Sequence, residues 1–169
     1  MYAILLGMMG SGKTTVGRRA AELAGYEFQD TDQLLVRKLG RPIHQIFQFY
    51  GEEAFRQHET RILSEMESGN GVLATGGGIV LREANWTEMR RLGKTIFLQV
   101  PEELLIERLA VAKRRRPLLE RDDWEEQLGI ILAGRLELYK QADVILDITE
   151  NDIEVAAEKL VSAMGWELA

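Results

Sequence analysis

The opening stretch constrains this chain more than any other. Met1-Tyr2-Ala3-Ile4-Leu5-Leu6 is an apolar run long enough for one buried strand. Gly7-Met8-Met9-Gly10-Ser11-Gly12-Lys13-Thr14 follows at once, and Thr15-Val16-Gly17-Arg18-Arg19-Ala20-Ala21 reads as the start of a helix. A strand, a glycine, four residues, Gly-Lys-Thr and a helix form the context that confirms a phosphate-binding loop. Its glycines let the backbone curl until several N–H groups point into one anion-sized hollow. The new helix adds unpaired amides and its positive dipole end. Lys13 can reach the terminal phosphates, and the Thr14 hydroxyl can sit on Mg²⁺. Gly10, Ser11, Gly12, Lys13, Thr14 and Thr15 are the candidate residues for binding a nucleoside triphosphate, with Thr14 a candidate metal ligand.

Apolar runs of strand length recur at Ala3–Leu6, Glu27–Gln29, Val72–Ala74, Thr95–Val100 and Val144–Leu146, with helical patterns between them. That alternation predicts a parallel sheet with crossover helices. The helices fall at Thr15–Ala24, Leu34–Leu39, a face marked by Ile43, Ile46, Phe47 and Tyr50, and a longer one carrying Phe55, Ile62, Leu63 and Met66. Asn85–Leu92, Glu102–Ala110, Trp124–Tyr139 and Ile153–Met164 complete the set. The expected fold is α/β: a three-layer α/β/α arrangement with a five-stranded parallel sheet, a P-loop NTPase of the nucleotide-kinase type. Its ligands should gather at the carboxyl edge of the sheet. At 169 residues, one domain is expected over 1–169.

Composition narrows the partners. A net charge of −6 argues against a dedicated nucleic-acid binder. The absence of cysteine removes disulfides, thiolate nucleophiles and zinc-thiolate sites. No segment reaches the ~20 apolar residues of a membrane span, and residues 1–6 are too short for a secretory signal. The expectation is a cytoplasmic enzyme, monomeric, without a nucleic-acid or membrane partner.

Five further motifs bear chemistry. Asp30-Thr31-Asp32 ends the second strand, where such a fold meets its ligand. Asp30 suits Mg²⁺, which prefers few carboxylates and keeps waters. Asp32 can then accept from a substrate hydroxyl and help remove its proton; alternatively, either aspartate caps the next helix. Arg56 and Glu59 are three apart on one helix face, either as a surface pair or with Glu59 steadying the Arg56 fork for an anion. Gly76-Gly77-Gly78 ends the third strand, as suits a backbone that a ligand approaches closely. That strand has no terminal acidic residue for the metal, which makes Asp30 more necessary. Lys113-Arg114-Arg115-Arg116-Pro117 reads by itself as a solvated loop or a nucleic-acid patch, and beside a P-loop as a lid, about 112–123, bringing Arg116 onto a transferring phosphate. Arg135 sits in a stripe of Leu128, Ile131, Leu132, Leu138 and Tyr139, where a guanidinium snorkels out or meets an anion. His44 and His58 lack metal-like spacing and read as structural or exposed.

Taken together, these motifs resemble those of shikimate kinases over nearly the whole chain. The resemblance rests on the early P-loop, Asp30-Thr31-Asp32, Phe55-Arg56 with Glu59, Gly76-Gly77-Gly78, Arg116-Pro117-Leu118-Leu119, and Arg135 before Leu138-Tyr139. It implies transfer of the ATP γ-phosphate to the 3-hydroxyl of shikimate, on the route to chorismate and the aromatic amino acids. It also implies that Thr14 and Asp30 serve Mg²⁺, and that Lys13 and Arg116 handle the phosphates. Asp32, Arg56, Gly77, Gly78 and Arg135 fall to shikimate, with the two arginines on its carboxylate and the acceptor helices at about 32–62. Lys13, Asp32 and Arg116 are thus the candidate catalytic residues. Arg108 matches the position that stacks on adenine. The loop near Asp147–Asp152 departs from some relatives by lacking a proline.

Other readings make different demands on the sequence. A gluconate-kinase-like enzyme would share the P-loop but not the Arg56 and triple-glycine set. A GTPase switch needs an Asn-Lys-x-Asp guanine reader, which is absent. A non-catalytic shikimate-kinase-like binding protein would be expected to lose Lys13, Asp30 or Asp32; all are present.

Overall fold

The computed structural model describes residues 1–111, 121–149 and 151–169. Among them, β1 (Tyr2–Leu6), β2 (Glu27–Asp30), β3 (Gly71–Ala74), β4 (Gly93–Gln99) and β5 (Val144–Asp147) form one sheet in the order β2-β3-β1-β4-β5. Every ladder is parallel. Helices α1 (Lys13–Leu23), α2 (Thr31–Leu39), α3 (Ile43–Glu65), α4 (Glu83–Leu92), α5 (Glu102–Ala110), α6 (Trp124–Tyr139) and α7 (Ile153–Met164) run between and after the strands.

The sequence explains the strand order. All five residues of β1 are buried, and neighbouring side chains on a strand face opposite sides, so both faces of the sheet centre are covered. This is the expected three-layer arrangement. On the edge strand β5, exposure alternates instead, with Ile145 and Asp147 outward. Ile4, Leu5, Leu73, Ile96, Trp86, Met89 and Leu160 belong to the main core. Two core side chains also fix the chain beyond the triple glycine: Asn85 Nδ2 donates to Ile79 O at 2.8 Å and Trp86 Nε1 to Val80 O at 3.0 Å. They secure a 3₁₀ turn over Ile79–Leu81 that the hydrophobic pattern did not reveal.

A second, smaller core lies between α2 and α3. Leu35, Ile46, Phe55 and Ile62 are buried there, and Phe47 stacks on Phe55 with ring centroids 4.2 Å apart. The two helices expected across Ile43–Met66 form one span broken at Gly51, whose φ of 78° and ψ of 172° are open to glycine. α2 begins at Thr31, earlier than its apolar pattern, because Asp30 caps it. β4 likewise begins at Gly93, pairing with Tyr2 before its apolar run starts. No helix among the described residues is long and apolar enough to cross a membrane.

Candidate active site

A cleft of about 860 Å³ opens at the carboxyl ends of β1, β2 and β3. The P-loop forms its floor. Gly10 and Gly12 have φ of 82° and 93°, a region that costs a side-chain-bearing residue. Gly12 is the N-cap of α1 and supplies no side-chain acceptor, and no acidic residue lies in the first turn. The helix therefore presents amides and positive dipole without an internal anion competing for them. Lys13 Nζ donates to Gly7 O at 2.7 Å and Met8 O at 2.9 Å, which ties its long side chain along the loop. Thr14 and Thr15 line the cleft. Ser11 is buried, with its hydroxyl 3.5 Å from Lys13 Nζ.

Asp30 divides its two oxygens between two tasks. Oδ1 accepts from Asp32 N at 3.0 Å and Gln33 N at 3.4 Å, the ordinary cap of α2. Oδ2 accepts from Thr14 Oγ1 at 2.9 Å. Helix capping and a metal role are thus compatible at this residue. One carboxylate and one hydroxyl make a donor set that fits Mg²⁺, which takes few protein oxygens and completes its shell from water and phosphate. Among the described residues no cluster of three or more His, Cys, Asp or Glu could hold a metal by itself.

Across the cleft, α3 presents Arg56 and Glu59. Arg56 Nη1 donates to Glu59 Oε2 at 2.6 Å, and Nη2 to Glu52 Oε1 at 3.3 Å. Glu59 is 0% exposed and the Arg56 side chain 11%, so this is no surface pair. Burial pushes the Glu59 carboxyl above its usual range, outweighing the Arg56 charge; nearby Asp32 pushes it further, while Arg135 opposes. A buried pair whose desolvation wins is a weak source of stability, and its value lies in orientation. Arg56 Nε and Glu59 Oε1 are buried without a hydrogen-bond partner among the described residues.

The triple glycine passes between these groups. A Cβ on Gly76 would fall 2.9 Å from Glu59 Oε1 and 3.1 Å from Asp32 Oδ1, so the two carboxylates converge on its backbone. A Cβ on Gly78 would fall 2.5 Å from Arg56 Cζ. The guanidinium lies against bare backbone, and a larger residue there would displace it. Gly76 N donates to Thr31 Oγ1 at 3.2 Å, and Thr75 Oγ1 to Leu5 O at 2.7 Å, which ties this loop to β1 and α2.

Arg135 lines the same cleft and is half-buried, and its charge acts on Glu59 and Tyr139. The apolar stripe expected around it is uneven: Leu128 and Tyr139 are buried, while Ile131, Leu132 and Leu138 are half-buried. Periodicity on α6 therefore could not decide which way Arg135 faces. Arg108 closes the other end of the cleft. Its Nη1 donates to Gly10 O at 3.4 Å and Ser11 O at 3.3 Å, and Nε to Asn151 Oδ1 at 2.7 Å. Burial lowers its pKa from the ordinary value.

The cleft brings together Lys13, Thr14, Asp30, Asp32, Arg56, Gly77, Gly78, Arg108 and Arg135. Arg116 and most of the expected lid, 112–120, lie outside the described residues. Two participants, Asn151 and the Tyr139 hydroxyl, escaped the sequence reading, while His44, which also lines the cleft, is exposed as expected. Asn151 holds Arg108 and, through Nδ2, Glu107 Oε1 at 3.3 Å; it lies in the loop where no proline occurs. Tyr139 donates to Gly77 O at 2.5 Å. A polar residue just before a helix was the available signal for Asn151; Tyr139 stood in the motif with Arg135, but nothing in the sequence showed what its hydroxyl would meet.

The match to known proteins is extensive. The family model described as shikimate kinase matches residues 9–165. The chain belongs to the shikimate kinase family. A shikimate kinase of Thermosynechococcus vestitus is 44% identical over 162 residues, covering 95% of this chain and 87% of that relative. The structure of shikimate kinase from Acinetobacter baumannii in complex with shikimate superposes with a TM-score of 0.88 at 36% identity, over 96% of this chain and 92% of that one. Shikimate kinase from Bacteroides thetaiotaomicron gives 0.89 at 32% identity, over 98% of both chains.

Proposed function

We propose that this chain transfers the γ-phosphate of ATP to the 3-hydroxyl of shikimate, giving shikimate 3-phosphate and ADP on the way to chorismate and the aromatic amino acids. The observation that carries the reading is the Arg56 fork, held by buried Glu59 against Gly78 in the cleft that also holds the P-loop. Shikimate is a small ring with one carboxylate and several hydroxyls. Arg56 and Arg135 suit the carboxylate, Asp32 the reacting hydroxyl, and Gly77 and Gly78 the close approach of the ring.

In this reading the P-loop amides and Lys13 hold the phosphates, and Arg108 packs on the adenine. Thr14 and Asp30 would hold Mg²⁺, which when bound neutralises phosphate charge. The shikimate oxygen forms its bond to the γ-phosphorus as the bond to the β-phosphate bridging oxygen breaks. Asp32 receives the hydroxyl proton and ADP leaves with the bridging oxygen. Arg116, outside the described residues, is assigned to the transferring phosphate as part of a lid that excludes water. Catalysis is then positioning and charge neutralisation.

In this reading the chain is a cytoplasmic monomer, with the acceptor helices at about 32–62 inside a single domain. The test is ADP release with shikimate, gluconate or water as acceptor. Shikimate alone should drive release; equal rates with gluconate or water would sink the assignment.

A further inference from the structure

Tyr139 stands where the acceptor and phosphate ends of the cleft meet. It is fully buried, and its ring stacks on Phe97 with centroids 5.0 Å apart and planes 16° apart. Its hydroxyl donates to Gly77 O at 2.5 Å and lies 3.6 Å from Met8 Sδ in the P-loop. Burial pushes the hydroxyl's pKa up, while Arg135, whose guanidinium faces the same hydroxyl and donates a hydrogen bond to it, and the Arg56 charge pull the other way. The upward push is the larger, and the hydroxyl remains a donor at neutral pH.

The peptide it grips joins Gly77 to Gly78. A trans peptide is planar, and its carbonyl and N–H point in opposite directions. With Gly77 O drawn to Tyr139, the N–H of Gly78 is turned the other way. No backbone or side-chain acceptor among the described residues takes that N–H, and the Arg56 guanidinium lies against the same residue. Neither flanking residue carries a Cβ, so the two glycines do little by themselves to resist rotation of the peptide between them.

We propose that Tyr139 is a positioning residue whose hydroxyl latches the Gly77–Gly78 peptide so that the Gly78 N–H faces the carboxylate of the acceptor beside Arg56. Rotation of the unlatched peptide would present a carbonyl oxygen to that carboxylate, exchanging a donor for a repelling dipole. The inference rests on shikimate being the acceptor.

Tyr139→Phe keeps the ring and its stacking and removes the hydroxyl, with both its bond to Gly77 O and its contact with Arg135. Repeating the change in an Arg135→Met background separates the two, because a latch still raises the shikimate KM there and an effect carried by Arg135 does not. The expected result is a rise in KM for shikimate of about 2- to 12-fold, the range of one neutral hydrogen bond. KM for ATP should hold, and the preference for shikimate over its methyl ester should fall, because the ester is less sensitive to an inward carbonyl. An unchanged shikimate KM, or equal rises for ATP and shikimate, would overturn the latch. Should the variant fail to fold, the ¹⁵N resonance of the Gly78 amide in the wild type decides: it should shift and exchange more slowly when shikimate is added, and no movement refutes the proposal. Wild-type protein that does not phosphorylate shikimate would sink the functional reading itself. Active wild type with an unaffected Tyr139→Phe sinks only the latch.

Discussion

Thr14 and Asp30, sixteen residues apart, meet through a 2.9 Å hydrogen bond from Oγ1 to Oδ2. The bond joins the first turn of α1 to the end of β2 across the floor of the cleft. Asp30→Asn retains an oxygen that can cap α2 and removes the charge that suits Mg²⁺. The expected outcome is normal folding by circular dichroism and a Mg²⁺ requirement raised about tenfold or more, as for a lost charge-assisted contact. An unchanged Mg²⁺ titration would leave Asp30 a cap and nothing else.

Asp32 should matter to turnover more than to nucleotide affinity. Asp32→Asn preserves shape and loses the charge that favours taking the hydroxyl proton. A fall in kcat on the order of 10²-fold or more is expected, with ATP affinity near normal. If nucleotide affinity collapsed while saturated turnover survived, the metal and substrate aspartates would have been exchanged.

The half-buried Arg135 should grip the acceptor carboxylate jointly with Arg56. Charge-assisted hydrogen bonds contribute roughly 1.5–3 kcal/mol, or about 10- to 150-fold. Comparing shikimate with its methyl ester in wild type and Arg135→Met isolates that contribution, because a packing defect lowers both substrates together. The acid-to-ester preference should fall in the mutant without vanishing, since Arg56 remains. A constant ratio would return Arg135 to a packing role.

Glu59 predicts a pH effect on stability. Its folded pKa is raised above the ordinary 4.5, chiefly by burial. A raised carboxyl favours the fold below the unfolded pKa, and that advantage is lost as pH rises through the folded value. Glu59→Gln removes this titration. In urea melts from pH 4 to pH 8, the stability of the mutant relative to wild type should therefore improve as pH rises. A difference independent of pH would mean that Glu59 titrates alike in folded and unfolded chains.

Features set by neighbours in sequence were legible before any coordinates. The glycines of the P-loop, the caps at strand ends and the apolar runs act over a few residues, so strand, loop and helix follow from local sterics and hydrogen bonding. The apolar run at the start read as one buried strand, and the Gly51 break sits where two apolar patterns meet. The family motifs likewise pointed to Asp30, Arg56, Gly78 and Arg135. Which groups touch was a different matter. Only packing of α6 over the triple glycine brings Tyr139 to Gly77, and only the approach of α5 to the start of α7 brings Arg108 to Asn151. Asp30's divided oxygens, the burial of Glu59 and the inward turn of Arg135 depend on the same long-range closure. Those contacts join residues tens of positions apart, and helical periodicity carries no information about what stands opposite a face.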